Sequence, residues 1–371
     1  MKKPKYKIIK EWLRLEALKS KSQQKMPTVR EIKERFNASF VTVDKVLHEL
    51  EHEGIICRRQ GSKIIACAND GIQKSISERK PCTRSIIFSH PAYYSPMMSE
   101  MIHSFEMHAK QNALSLFHHT AVAPDSYDEL PELAGSCESL IGILINTGAD
   151  KLDDKTISRL STLNIPVIII DNLFDYKPLP NMYSLSVDMY ARGRTIAEIF
   201  FNLGHNKIAF IRNEPLDDNF SRYLKGAKDL FKEKNLPKGN VFSLSGTVKS
   251  WESSARAAKE ITQRKLNFIS DKKITALAYY SSSGAMAGIQ ALEENGYKVP
   301  QDISVFGGTD YWYTEFTNPA LSVVDNNYEQ IFADAFNIAL GNLSSDTTRV
   351  YKGEAIMRKS VGAVKNDSIN Y

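Results

Sequence analysis

Residues 27–65 read PTVREIKERFNASFVTVDKVLHELEHEGIICRRQGSKII, and the first domain follows from them. Thr28 with Glu31 three residues later is a capping box, which starts a helix at Val29. Asn37-Ala38 makes a turn. Ser39 then caps a second helix, whose Val43, Val46, Leu47 and Leu50 share one face until Gly54 stops it. Two β-rich runs flank Gln60-Gly61-Ser62 and predict a hairpin with Arg58, Arg59 and Lys63 near its tip. Upstream, from Pro4 to about Ser20, the spacing of Ile8, Ile9, Trp12, Leu13 and Leu15 or Leu18 predicts another helix with lysines on its far face. Helix, turn, helix and hairpin make a winged helix-turn-helix. Such a unit places the N-terminal residues of its second paired helix in a DNA major groove.

Charge supports that use. Residues 1–80 hold 19 Lys+Arg against 10 Asp+Glu, whereas the rest of the chain holds 29 against 33. A basic module joined to a mildly acidic one is the footprint of phosphate neutralisation by the first alone. Charge by itself also allows a solvated basic face with no partner.

The same stretch resembles the DNA-binding domain of GntR-type regulators. The resemblance rests on the ordered set P-T-x-R-E, S-x-x-T-V, L-x-x-E-G and R-R-x-G within residues 27–65. It implies that Arg30, Ser39, Thr42, Lys45, Arg59 and Gly61 lie at the DNA, with Lys63 on the same hairpin. Arg30 and Lys45 would meet phosphates or base edges. Two positions depart from the family. Phe40 stands where an arginine commonly follows the capping serine, and could contact a thymine methyl or pack inward; Asp44 stands where a basic residue is usual. The operator is therefore expected to differ from the family's commonest one.

After a polar stretch, ANDGIQKSISERKPCTR at 68–84, short apolar runs recur at 85–89, 140–145, 166–171, 207–211, 274–280 and 303–307. Segments of helical periodicity lie between them, PMMSEMIHSFEMHAKQN and ARGRTIAEIFFNLGH among them. That alternation predicts an α/β domain of parallel sheets with helices on both faces, whose ligands bind beyond the carboxyl ends of the strands. The residues following the runs are Tyr93, Tyr94 and Ser95; Asn146; Asp171 and Asn172; Ser281; and Thr309 and Asp310. Their hydroxyl, amide and carboxylate groups suit sugar hydroxyls, and Trp251 or a tyrosine could stack on a pyranose face. Each also has a local use in capping or turn formation.

Residues 84–362 resemble the sensor domain of the LacI/GalR family, which has the periplasmic sugar-binding fold. The landmarks are NLGHNKIAFI at 202–211, ENGYKVPQDISVFGG at 294–308 and NPALSVVDNN at 318–327. The resemblance places Tyr93, Ser95, Asn146, Asp171, Trp251, Ser281 and Asn326 at ligand contacts, and the three lobe crossings near Ser186, Asn326 and Ser345. It implies a winged helix at 1–67, a linker at 68–83 and a two-lobed sensor at 84–365. Lobe one would take about 84–186 and 326–344, and lobe two about 187–325 and 345–365. The family's arginine three residues before a helix glycine is Tyr223 here, ahead of Gly226, with Arg222 one residue early. Its G-F-D-D is Gly307-Gly308-Thr309-Asp310, and its strand-end Asn-Asp is Ser281-Ser282. Fewer charged anchors are expected than in most hexose sensors.

The expected function is a sequence-specific transcription regulator, a homodimer on palindromic double-stranded operator DNA, repressing until a monosaccharide binds. Activation, or a non-sugar effector such as a nucleoside, stays open. A cytoplasmic location is expected, because no apolar run approaches the roughly 20 residues of a membrane span. No cofactor or metal is expected: Cys57, Cys67, Cys82 and Cys137 lack metal-site spacing, and His118-His119 lacks spaced partners. An enzyme would need a motif such as GxGxxG, GxxxxGK[ST] or GxSxG after the right element, and none occurs; the HExxH spacing of His48-Glu49-Leu50-Glu51-His52 falls inside the second paired helix, whose Leu50 belongs to the inward stripe. A transport-type binding protein would need an export signal and would not need the basic first domain.

Overall fold

The computed structural model describes residues 5–19, 26–52, 55–59, 63–66, 84–92, 95–137, 139–170, 179–215, 217–249, 252–343 and 348–364. At 5, 18, 19, 52, 57–59, 63, 65, 66 and 238 it describes the backbone only. The chain divides into two units, Met1–Thr83 and Arg84–Tyr371.

Unit 1 is a winged helix: α1 (Lys5–Lys19), α2 (Val29–Phe36), α3 (Phe40–His52), β1 (Ile56–Arg59) and β2 (Lys63–Ala66), the two strands antiparallel. Both halves of the Thr28/Glu31 capping box form, and Asn37 ends α2 in the left-handed conformation that lets the chain turn into α3. Val43, Val46, Leu47 and Leu50 are fully buried with Ile9, Leu13, Ile32 and Ile56. The inward face of α1 is narrower than its apolar spacing predicts. Ile9 and Leu13, four apart, fill it, while Ile8 and Leu15 are 40% and 54% exposed. Tyr6 and Lys10 of α1 both donate to Glu49 of α3, and Met26 N donates to Ile64 O at 2.9 Å, which joins the hairpin to the loop before α2.

Unit 2 holds two six-stranded sheets. Lobe one carries β3 (Ser85–Pro91), β4 (Ser115–Ala121), β5 (Leu140–Ile145), β6 (Val167–Ile170), β7 (Met182–Val187) and β13 (Thr348–Tyr351). Their order is β13-β7-β6-β5-β3-β4, all parallel. Lobe two carries β8 (Ile208–Arg212), β9 (Val241–Ser245), β10 (Ala276–Tyr279), β11 (Ser304–Thr309), β12 (Ser322–Asp325) and β14 (Glu354–Ile356). Their order is β14-β12-β11-β10-β8-β9, antiparallel only at β12–β14. The helices are α4 (Pro96–Gln111), α5 (Leu130–Ser136), α6 (Asp154–Ser161), α7 (Met189–Asn202), α8 (Asp218–Glu233), α9 (Ser254–Lys272), α10 (Ser282–Glu294) and α11 (Tyr328–Ala339).

The chain passes between lobes after β7, after β12, and between β13 and β14 at Lys352-Gly353. The third passage lies later than the Ser345 expected from resemblance. β13 pairs with β7 from Thr348↔Ser184 to Tyr351↔Val187, so 348–351 belong to lobe one. Two strands that apolar runs did not predict have physical reasons to hide. β4 is an edge strand that exposes Phe117, His118 and Thr120 in SLFHHTA, and β7 is interior but buries serines, Ser184 and Ser186, in MYSLSV. In lobe two, α7 and α8 meet backbone to backbone: a Cβ on Gly193 would lie 1.8 Å from Tyr223 O, and one on Gly226 2.0 Å from Tyr190 O. Only glycine permits that approach, and it brings Arg192 of α7 beside Tyr223 of α8.

Candidate nucleic-acid face and ligand cleft

On unit 1, the α3 face opposite the buried stripe presents Val41 and Lys45, both exposed, and Phe40 beside them is 57% exposed. Of the two readings open for Phe40, inward packing is excluded. Ser39 Oγ accepts from Thr42 N at 3.2 Å and lies 2.9 Å from Thr42 Oγ1, so these two hydroxyls close the helix start on each other. Arg30, its side chain 88% exposed, pairs with Glu34 one turn along α2. Lys45 stands 5.5 Å from the Tyr6 ring centre, and Asp44 is half-buried. Arg59 and Lys63 face each other in the hairpin register; their side chains and Gly61 lie outside the described residues.

In unit 2 the strand ends of the two lobes approach each other. Lys151, after β5, pairs with Asp218 at the start of α8, and Glu100 of α4 lies within electrostatic reach of Asp310 after β11. Several strand-end residues singled out from the sequence have their polar groups engaged within the fold. Ser95 caps α4, accepting from Met98 N at 3.1 Å. Asn146 is buried; it donates to Ile170 O at 3.3 Å and accepts from Gly148 N at 2.9 Å. Ser281 caps α10 and accepts from Asn213 Nδ2 at 2.6 Å. Asn326 Nδ2 donates to Thr309 Oγ1 at 2.8 Å, while Ser282 Oγ donates to Thr309 O. Asp310 forms a two-pronged pair with Arg358, at 2.9 and 3.0 Å, and accepts from Thr314. Partial burial would raise that carboxyl, but Arg358 and Thr314 hold it below the ordinary range. Arg222 is half-buried beside Asp218. Tyr93, Tyr94, Asp171, Asn172 and Trp251 lie outside the described residues. His118 and His119 serve packing and local bonding, against Phe88 and at Ser89 Oγ.

The structure adds a cluster that the sequence reading missed. Tyr223 is wholly buried and its hydroxyl has no partner; burial pushes its pKa up to about 12. The Arg192 guanidinium lies 5.2 Å from the Tyr223 ring centre and donates to Tyr280 O at 3.4 Å, and its Nε is buried without a partner. Among the described residues no carboxylate pairs with Arg192. Tyr280 OH donates to Asp217 Oδ2 at 3.0 Å. Burial raises the carboxyl pKa of Asp217, and likewise that of Glu214, which Ser254 and Ser281 partly offset by hydrogen bonding. Two more unpartnered buried atoms mark lobe passages: Ser186 Oγ at the end of β7 and Asn326 Oδ1 after β12. Glu214 had a readable signal, since it closely follows the apolar run at 207–211. Arg192 had none, being one polar residue inside a helix.

A DNA-binding transcription regulator is the class that this fold and its sequence define. Residues 6–64 match the bacterial regulatory proteins of the gntR family, and residues 197–361 match the periplasmic binding protein-like domain. The chain is 22% identical over 351 residues to the arabinose metabolism transcriptional repressor of Geobacillus stearothermophilus, covering 92% of each. It is 25% identical over 292 residues to the HTH-type transcriptional repressor PurR of Haemophilus influenzae, covering 76% of this chain and 82% of that one. The LacI family regulator CcpA of Weissella paramesenteroides, solved with bound glucose, superposes with a TM-score of 0.64 at 18% identity, covering 76% of this chain and 100% of that one. That likeness is one of fold. No helix among the described residues is long and apolar enough to cross a membrane.

Proposed function

We propose that the chain is a cytoplasmic, homodimeric repressor whose sensor, of LacI/GalR kind, binds a small sugar between its lobes and thereby releases operator DNA. The observation that carries this reading is the unmet bonding capacity at the strand ends of lobe two. Arg192 Nε and Tyr223 OH are buried without partners among the described residues, both side chains meet Tyr280, and Tyr280 OH reaches the acceptor Asp217, which has Glu214 within electrostatic reach. A buried donor left unsatisfied costs about 1–3 kcal/mol, so a polyhydroxylated ligand that meets several at once gains affinity. Tyr93, Tyr94, Asp171, Asn172 and Trp251 are proposed to complete the site from both lobes.

Two copies would present their α3 helices to half-sites about one helical turn (~34 Å) or a multiple apart, with Arg30, Lys45, Arg59 and Lys63 toward the phosphates and Gly61 letting the hairpin approach. Ligand can shift operator affinity only through its differential affinity for the two states, typically about 1–3 kcal/mol. A thermal-shift screen of common monosaccharides and their phosphates against the purified chain tests the reading. At least one sugar should raise the melting temperature and lower affinity for a selected palindromic operator. Failure of every sugar to bind would overturn the sugar assignment, and tighter operator binding with ligand would overturn the repressor sign.

A further inference from the structure

The start of α3 carries an apolar pair that folding does not require. The described core of unit 1 gathers Ile9, Leu13, Met26, Ile32, Ile56, Ile64 and the stripe of α3, and Phe40 and the adjacent Val41 stand outside it, 57% and 74% exposed. Burying either would gain free energy, so their exposure side by side at one helix start calls for another partner. Polar alternatives there are already engaged. Ser39 and Thr42 close on each other, so the groups free to touch a base edge at this helix start are the phenyl ring and the isopropyl group. Cations flank them: Lys45 lies four residues after Val41 on the same face, and Arg30 stands exposed on α2. The first residues of such a helix meet base edges, and thymine alone presents an apolar group, its C5 methyl, in the major groove.

We propose that Phe40 and Val41 read thymine methyls, so that each operator half-site carries one or two thymines recognised by apolar contact. The proposal rests on the reading above that unit 1 docks α3 in a major groove. The test selects an operator from a randomised duplex library with the full chain, then replaces each thymine singly by deoxyuridine, which deletes the methyl and keeps base pairing. At one or two thymines per half-site the replacement should weaken binding about four-fold, the value of one buried methyl group. Phe40→Ala and Val41→Ala should each abolish the penalty at one thymine and leave the salt dependence of binding unchanged, since no phosphate contact is removed. Because both side chains are exposed, neither variant should lose its fold, which circular dichroism checks. Equal affinity for every deoxyuridine duplex, or penalties that persist in both variants, would overturn the proposal while leaving DNA binding intact. Failure to select any duplex would overturn the docking reading and this one with it.

Discussion

The α3 face and the strand ends of unit 2 handle their functional side chains in opposite ways. On α3, a two-residue hydroxyl cap closes the helix start and leaves Phe40, Val41 and Lys45 projecting into solvent. At the strand ends, Ser95, Asn146, Ser281 and Asp310 are occupied by caps, turns and an ion pair, and the unmet capacity sits deeper, on Arg192, Tyr223 and Asn326. A surface that meets a rigid, highly charged polymer works with exposed groups. A site that encloses a small molecule works with buried groups that water does not fully satisfy. In the proposed function, exposure is thus the signal in one unit, and unsatisfied burial in the other.

The largest effect that could break this contrast is expected at Arg192. Arg192→Met removes the donors that the proposed function assigns to a ligand, so sugar affinity should fall about 10–100-fold, the equivalent of a hydrogen bond to a charged group, by calorimetric titration. The same change deletes a buried cation that has no carboxylate partner among the described residues, so the melting temperature should stay level or rise. A large loss of stability would show instead that Arg192 is a structural residue. Asp310→Asn should behave the other way: it strands Arg358 and should cost about 1–2 kcal/mol in denaturant unfolding, discounted for the partial exposure of the pair. If Asp310→Asn left stability unchanged, the pair would have to be reassigned to ligand binding.

Unit 1 offers the smaller effects. Ser39→Ala removes the α3 cap and should lower the stability of that unit by about 1 kcal/mol, with ligand binding by unit 2 untouched. Lys45→Ala should weaken operator binding a few-fold on every sequence and reduce the salt slope by about 1, as loss of one phosphate contact requires. A sequence-dependent loss with an unchanged slope would place Lys45 on a base edge.

Most of the fold was legible in the sequence because its determinants are local. The Thr28/Glu31 box, Asn37, the Val43–Leu50 stripe and the apolar parallel strands are each a short pattern with a physical cause. The third lobe passage was not legible, because it depends on β13 choosing β7 as a partner across more than 160 residues of chain. The exposure of Phe40 and Lys45 on the face proposed for DNA follows from the inward stripe of α3, although Val41 needed the structure to show which way it points. The ligand end was less so. Inspecting residues after each strand found Ser281 and Thr309 but could not tell a capping serine from a free one, and Arg192 acquires its meaning only from the close packing of α7 on α8.

Coupling between the two units is tested most directly by measuring operator affinity of the full chain with and without a saturating concentration of the monosaccharide that gives the largest thermal shift, in the unmodified protein and in Arg192→Met. The expected result is a ligand-dependent drop of about 5–150-fold in the unmodified protein, the usual span of allosteric coupling. Arg192→Met should bind operator normally and respond only at much higher sugar concentration. Operator affinity that does not change while the sugar demonstrably occupies unit 2 would contradict it.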